Sequence, residues 1–168
     1  IERDYYLQKI MPLMDRKEVL VLKGIRRCGK STIMRQLMKT LIIQGIDKKQ
    51  ILHLNLEDYN FRDFLTFELF DSVLKVYLSY SGNKSKVYMF IDEIQSISEW
   101  EKWVRTKLET HPNIKFVITG SNASLLSGEI STLLTGRNLT FEIKVLSFQE
   151  FCMFDKSSDF EKYITYGG

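Results

Sequence analysis

The chain has 168 residues, enough for one domain with a real core. Hydrophobic residues make up 44% and charged residues 27%, which excludes a disordered or low-complexity chain, and no apolar run approaches the roughly 18 residues that a membrane helix needs. A net charge of +3 is too weak to argue for nucleic acid, and two cysteines, Cys28 and Cys152, exclude a disulfide framework and fit a reducing, cytoplasmic setting.

In chain order, residues 1–15 read as a helix, with Tyr6, Ile10, Leu13 and Met14 at helical spacing and Pro12 weakening its end. Val19 to Leu22 is a continuous apolar run, the pattern of a strand buried on both faces of a parallel sheet. Ile33, Leu37 and Leu41 mark a helix that stops near Gly45, and Ile51 to Leu56 is a second strand. A long amphipathic helix is expected from Phe64 through Tyr80, then a strand from Val87 to Ile91 that runs into Asp92-Glu93. Ser98-Glu99-Trp100-Glu101 reads as a capping box for a helix that His111-Pro112-Asn113 closes. A strand from Ile114 to Thr119, a helical region around Leu125 to Leu134, and a strand from Leu139 to Val145 follow. Ser147-Phe148-Gln149-Glu150 is a second capping box, opening the last helical region. There are no internal repeats. Strands alternate with helices, so the class is α/β, with a mainly parallel five-stranded sheet between helical layers.

Gly24 to Ser31 matches G-x-x-x-x-G-K-[ST] in full and sits between a buried strand and a helix, the context that motif requires. Gly24 and Gly29 let the backbone turn tightly and approach phosphate, amides at the next helix's N-terminus point at the anion, and Lys30 supplies charge to the β- and γ-phosphates. Ser31 offers a hydroxyl to Mg²⁺. Arg26, Arg27, Cys28 and Thr32 are assigned to the same nucleotide site as members of the loop and of the first turn after it. The arginine side chains of such a loop usually face outward. Cys28 reads either as a thiol activated by its surroundings or, more simply, as a small residue at a variable loop position.

Asp92 ends an apolar strand, where a carboxylate of a phosphate-loop protein holds Mg²⁺, and Glu93 directly after it can polarise an attacking water. One strand lies between the loop unit and the acidic strand and two more follow. This is the additional-strand arrangement of phosphate-loop ATPases, in which the loop strand is central and the fourth strand lies beside it. The tip of that fourth strand, Thr119 to Asn122, is then expected to face the γ-phosphate, with Ser121 and Asn122 either sensing nucleotide or capping a helix. Arg137, after Gly136, is either an arginine finger reaching a neighbouring subunit's nucleotide or an exposed loop arginine behind a glycine cap. Glu57 and Asp58, at the end of the second strand, are candidate neighbours of the metal. Trp100, Trp103 and Leu108 read as packing residues, and His53 and His111 lack metal-ligand spacing. Lys102, Arg105 and Lys107 read as a solvated helix face.

The phosphate loop, Asn55-Leu-Glu-Asp, Phe90-Ile-Asp-Glu-Ile-Gln, Ser98-Glu-Trp-Glu, Ile118-Thr-Gly-Ser-Asn, Gly136-Arg and Leu146-Ser-Phe-Gln-Glu-Phe occur in that order. Together they resemble the AAA-type ATP-binding domain of a large prokaryotic ATPase family related to archaeal ATPases. The resemblance implies ATP, Mg²⁺ and hydrolysis, with roles for Lys30, Ser31, Asp92, Glu93, Asn122 and Arg137, and it places Arg3 and Tyr6 near the adenine. It also implies a lid and a C-terminal domain after Gly167-Gly168, so that residues 1–168 read as one AAA-type domain of a longer protein. Partners expected on this reading are ATP or ADP and a second copy of the chain, with nucleic acid reached only through the further domain. A nucleotide-dependent switch and a DNA-acting machine are alternative uses of the same domain. A GTP-binding version lacks an N-K-x-D motif, and a small-molecule kinase would need an acceptor other than water.

Overall fold

The structure is a computed structural model that describes residues 3–81, 86–121, 133–156 and 159–166. Asn122, and most of the helical region expected over 125–134, lie outside the described residues. Five parallel strands form one sheet: β1 (Val19–Gly24), β2 (Ile51–Asn55), β3 (Val87–Asp92), β4 (Ile114–Ser121) and β5 (Asn138–Glu142), in spatial order β2-β3-β4-β1-β5. β1 is therefore flanked by β4 and β5, as the additional-strand reading requires.

Among the described residues the α-helices are α1 (Asp4–Ile10), α2 (Lys30–Ile43), α3 (Phe67–Ser81), α4 (Trp100–Thr110), α5 (Phe148–Asp155) and α6 (Phe160–Tyr166). Alternation along the buried strands divides the core between the two faces of the sheet. Val19, Val21, Met89, Ile91, Phe116 and Ile118 point to one side and pack with Phe70, Leu74, Trp100, Trp103 and Val104 of α3 and α4. Leu20, Leu22, Phe90 and Val117 point to the other and pack with Tyr6, Ile10, Ile33, Leu37 and Leu41 of α1 and α2. The two tryptophans are thus core residues. Trp103 also donates its Nε1–H to Asp71 at 2.8 Å, and Lys107 pairs with the same carboxylate at 2.8 Å, pinning α4 to α3. These contacts, with the Lys107 hydrogen bond the largest, hold the Asp71 carboxyl below its ordinary value.

Four local expectations are corrected. The N-terminal helix is short, and Pro12 falls in a 3₁₀ turn, Met11–Leu13, because proline cannot supply the amide a longer α-helix would use. The third helix starts at Phe67 rather than Phe64, because Asp58 accepts from Asn60 N–H and nucleates a separate 3₁₀ segment, Tyr59–Phe64. The Ser98 capping box does not form. Glu99 takes the N-cap position in a left-handed conformation (φ 56°) with no side-chain cap bond, pairing instead with Lys102. The Ser147 box does form, with Ser147 Oγ accepting from Glu150 N–H and Glu150 Oε2 from Ser147 N–H.

The fifth strand ends at Glu142 rather than continuing to Val145. Ile143 N–H still donates to Lys23 O at 2.7 Å, but beyond it the chain turns against the end of β1. A Cβ on Gly24 would lie 2.4 Å from Ile143 O and 2.6 Å from Cys28 Sγ, so the first glycine of the loop is required by close packing against this segment. Gly24→Ala is expected to cost roughly 2–3 kcal/mol of stability, because the Ile143 backbone and the buried Cys28 side chain must both give. Urea unfolding midpoints compared with wild type check this.

Candidate functional site

The phosphate loop emerges at the carboxyl edge of the sheet, where Gly24 stands in register with Ser121 on β4. Arg27 (φ 66°) and Gly29 (φ 98°) both take left-handed backbone, and the chain then enters α2 with Lys30 as its first residue. At Gly29 an L side chain would be strained. The amides of the first turn of α2, at Lys30, Ser31 and Thr32, lack partners within the helix by its geometry, and the helix dipole favours an anion there.

The loop side chains divide by direction. Arg26 and Arg27 are exposed, and Arg26 lies 3.8 Å from the exposed Glu57. Cys28 is turned inward, 3% exposed, and packs in the core beside Gly24, so its side chain is a filler, while its N–H donates to Ile25 O at 3.4 Å. Lys30 is 4% exposed. Its ammonium donates to Gly24 O at 3.2 Å and Ile25 O at 3.1 Å and lies 3.5 Å from Glu93 Oε1. Two residues 63 positions apart in sequence, one from the loop and one from the acidic strand, thus meet at the sheet edge.

Asp92 ends β3 and is buried, and Glu93 follows in a left-handed conformation (φ 56°, ψ 52°). Both are fixed by Thr119, which is fully buried on the neighbouring strand. Its hydroxyl donates to Asp92 Oδ1 and accepts from Glu93 N–H at 2.9 Å. The sequence reading pointed the fourth strand's tip at phosphate. Thr119 instead turns sideways onto the acidic pair, because register puts it level with the end of β3. Ser121, two residues on, lies beside the loop at Gly24. Gln95 is a second residue that sequence reasoning missed. Its Nε2 donates to Glu93 Oε2 at 2.6 Å.

The loop is braced from behind by Arg3, which is 4% exposed. Its Nη1 donates to Cys28 O at 2.9 Å and Lys144 O at 2.8 Å, its Nη2 to Val145 O at 3.4 Å, and its Nε to Glu150 Oε1 at 2.8 Å. Tyr6 OH accepts from Lys144 N–H at 3.0 Å, and the Arg3 guanidinium lies over its ring. The guanidinium is therefore spent on the protein's own acceptors, joining the N-terminal arm, the loop and the exit of β5. Burial pushes the Glu150 carboxyl up, but the Arg3 guanidinium and the Ser147 amide and hydroxyl outweigh it and hold the group below its ordinary value.

Arg137 stands elsewhere. Its carbonyl accepts from Val19 N–H at the start of β1, and its guanidinium pairs with Glu109 at 2.6 Å. It borders a cleft of about 570 Å³ that Arg16, Lys17, Leu108 and Pro112 also line, at the amino edge of the sheet. The length of β1, six residues at roughly 3.3 Å each, separates it from the loop. The structure does not bring Arg137 to Lys30 of the same chain.

Oxygen donors at Ser31 and Asp92 suit a hard divalent cation, while no group of three or more His, Cys, Asp or Glu side chains among the described residues could cage one. That set fits Mg²⁺ shared with phosphates better than a dedicated metal centre.

Residues 16–152 match a family described as an AAA domain (AAA_14), more than half of the chain. The protein belongs to this AAA domain family. A Haemophilus influenzae protein described as uncharacterized is 39% identical over 151 residues, 90% of this chain and 37% of that protein. The uncharacterized protein MJ1544 of Methanocaldococcus jannaschii is 37% identical over 165 residues, 98% of this chain and 34% of that protein. The AAA domain described here thus spans about a third of the length of the curated relatives it matches. Among solved structures, a DNA polymerase III gamma subunit-related protein from Thermotoga maritima superposes with a TM-score of 0.65 at 12% identity, covering 95% of this chain and 52% of that one. The Saccharomyces cerevisiae Hsp104:casein complex gives 0.66 at 18% identity, covering 99% and 31%. At these identities the likeness is one of fold. Among the described residues no helix is long and apolar enough to cross a membrane.

Two outcomes follow. Thr119→Val keeps the shape but leaves a buried carboxylate and an amide without their partner. It should cost about 1–3 kcal/mol, whereas Thr119→Ser stays close to wild type; urea unfolding measures both. Glu150→Gln should lose roughly 2 kcal/mol at pH 7. Because the native Glu150 carboxyl lies below its ordinary value, that advantage is complete above about pH 5 and is lost as the pH falls below the usual glutamate value near 4.3. The gap between the two proteins should therefore close toward pH 3 in unfolding curves taken across that range.

Proposed function

We propose that residues 1–168 form a single nucleotide-binding domain of a longer protein, and that this AAA domain binds ATP with Mg²⁺ and hydrolyses it. The observation that carries the reading is the approach of Lys30 Nζ to Glu93 Oε1 at 3.5 Å, with Asp92 locked beside it, at the carboxyl edge of a parallel sheet where a phosphate loop opens a helix. A cation for phosphate and a carboxylate for water stand side by side there.

In this reading the first amides of α2 and the Lys30 ammonium bind the phosphates. Lys30 exchanges its contacts with Gly24 O and Ile25 O for phosphate oxygens. Ser31 Oγ and the Asp92 carboxylate hold Mg²⁺, whose chemistry when bound is to neutralise charge on the phosphate oxygens. The Glu93 carboxylate accepts a proton from the attacking water. Ser121, at the tip of β4, and Asn122, which follows it in sequence, sense the terminal phosphate. Arg26 and Arg27, exposed on the loop, attract the nucleotide from solvent, while Cys28 contributes backbone only. Arg137 acts as a finger on the site of a second copy, since its own lies a strand's length away.

Lys30→Ala should weaken ATP binding at least tenfold, measured by calorimetry on the full chain. Glu93→Gln should bind ATP within a few-fold of wild type and lose at least 100-fold in steady-state phosphate release, the range for loss of a general base. Wild-type protein that binds no nucleotide in the presence of Mg²⁺ would overturn the assignment. Tight binding with negligible release by wild type would favour a nucleotide-dependent switch.

A further inference from the structure

Glu93 is held at both carboxylate oxygens. Lys30 approaches Oε1 from the phosphate loop, and Gln95 Nε2 donates to Oε2 at 2.6 Å from the opposite side. The backbone of Glu93 is already fixed by its left-handed conformation and by the bond from its amide to Thr119 Oγ1. Only rotation of the side chain remains, and Gln95 closes it.

Gln95 serves this contact at its own expense. Its Oε1 is buried and has no hydrogen-bond partner among the described residues. Turning the amide over would not relieve this, because it would set Oε1 against the Glu93 carboxylate. The orientation is therefore dictated by Glu93, and a buried carbonyl goes unpaired as a consequence. Packing alone would be better met by leucine or methionine, which fill similar space without a polar atom to desolvate. Gln95 also sits in the short 3₁₀ turn Ile94–Ser96, whose neighbours Ile94 and Ile97 are both buried, so its backbone is anchored.

We propose that Gln95 is a positioning residue for Glu93: its amide tethers Oε2, so that Oε1 is the oxygen presented toward the phosphate loop. The inference rests on the reading of Glu93 as the residue that activates water. With Oε2 engaged, a water between Glu93 and the terminal phosphate meets one carboxylate oxygen in one direction. Without the tether the carboxylate rotates about its side-chain bonds, and an ångström of misplacement at a reacting group costs up to about a hundredfold in rate.

The test compares the full-length wild type with Gln95→Leu and Gln95→Glu. Gln95→Leu removes both the tether and the unpaired carbonyl. It should lower kcat at least about tenfold while KM stays within about twofold, and its thermal midpoint should equal or exceed that of wild type. ATP binding measured in EDTA, where no metal contributes, should be unchanged. Gln95→Glu keeps the size but sets an acceptor against an acceptor, and its kcat should fall at least as far. In a crystal structure of Gln95→Leu without nucleotide, the Glu93 carboxylate should leave its present direction while Thr119 still bonds Asp92. A Gln95→Leu enzyme with wild-type kcat overturns the proposal. So does a loss of kcat matched by weaker binding in EDTA and a lower thermal midpoint, since Gln95 would then be part of the framework. Wild type that binds ATP without turning it over overturns the reading of Glu93 itself, a failure visible before any Gln95 variant is measured.

Discussion

β4 lies between the strand that carries the phosphate loop and the strand that ends in Asp92-Glu93, and its parallel register with both sets the site. Ser121 reaches the height of Gly24, and Thr119, two residues earlier, reaches the end of β3. A threonine hydroxyl has one proton to give and lone pairs to receive with, and here it gives to Asp92 and receives from the Glu93 amide. A shift of one residue would turn Thr119 to the opposite face of the sheet and leave a buried carboxylate alone. The convergence of Lys30 and Glu93 therefore depends on strand order and register, which the two-sided burial of β1, β3 and β4 enforces.

A second constraint acts behind the loop. Arg3 is a buried cation, and burial is tolerable only because its donors meet Cys28 O, Lys144 O, Val145 O and Glu150. Satisfying them fixes where three distant segments pass: the arm before α1, the loop before α2 and the turn before α5. Gly24 belongs to the same junction, since any side chain there would strike Ile143 O. Gly24, Cys28 and Arg3 thus build the wall on which the loop rests, while Gly29 and Lys30 carry the chain from the loop into α2. The motif read as a string placed Gly24 and Cys28 in the loop without showing these packing contacts, and the resemblance placed Arg3 near the adenine without showing its bonds to the loop.

Much of the fold was legible because its signals are local. Apolar runs of strand length, helical spacing at Ile33-Leu37-Leu41 and the Ser147 capping box each depend on neighbouring residues. The Ser98 box and the start of α3 at Phe64 misled for the same reason. Glu99 adopts a left-handed cap as Trp100 enters the core, and Asp58 captures an amide for a separate turn. Thr119 was read as part of a tip facing phosphate, and Gln95 only as the last letter of a motif, since neither carries a spacing signal for the carboxylates it serves.

The α/β class, the strand order implied by the placing of the motifs, and the phosphate loop and acidic pair as candidate partners were all legible in the chain, because hydrophobic period and motif chemistry are written in consecutive residues. Only the folded chain shows that Cys28 and Arg3 turn inward onto the protein, that Arg137 stands at the far edge of the sheet, and that Glu93 lies between Lys30 and Gln95. These follow from register, burial and the pairing of buried charges, which are relations between residues distant in the chain.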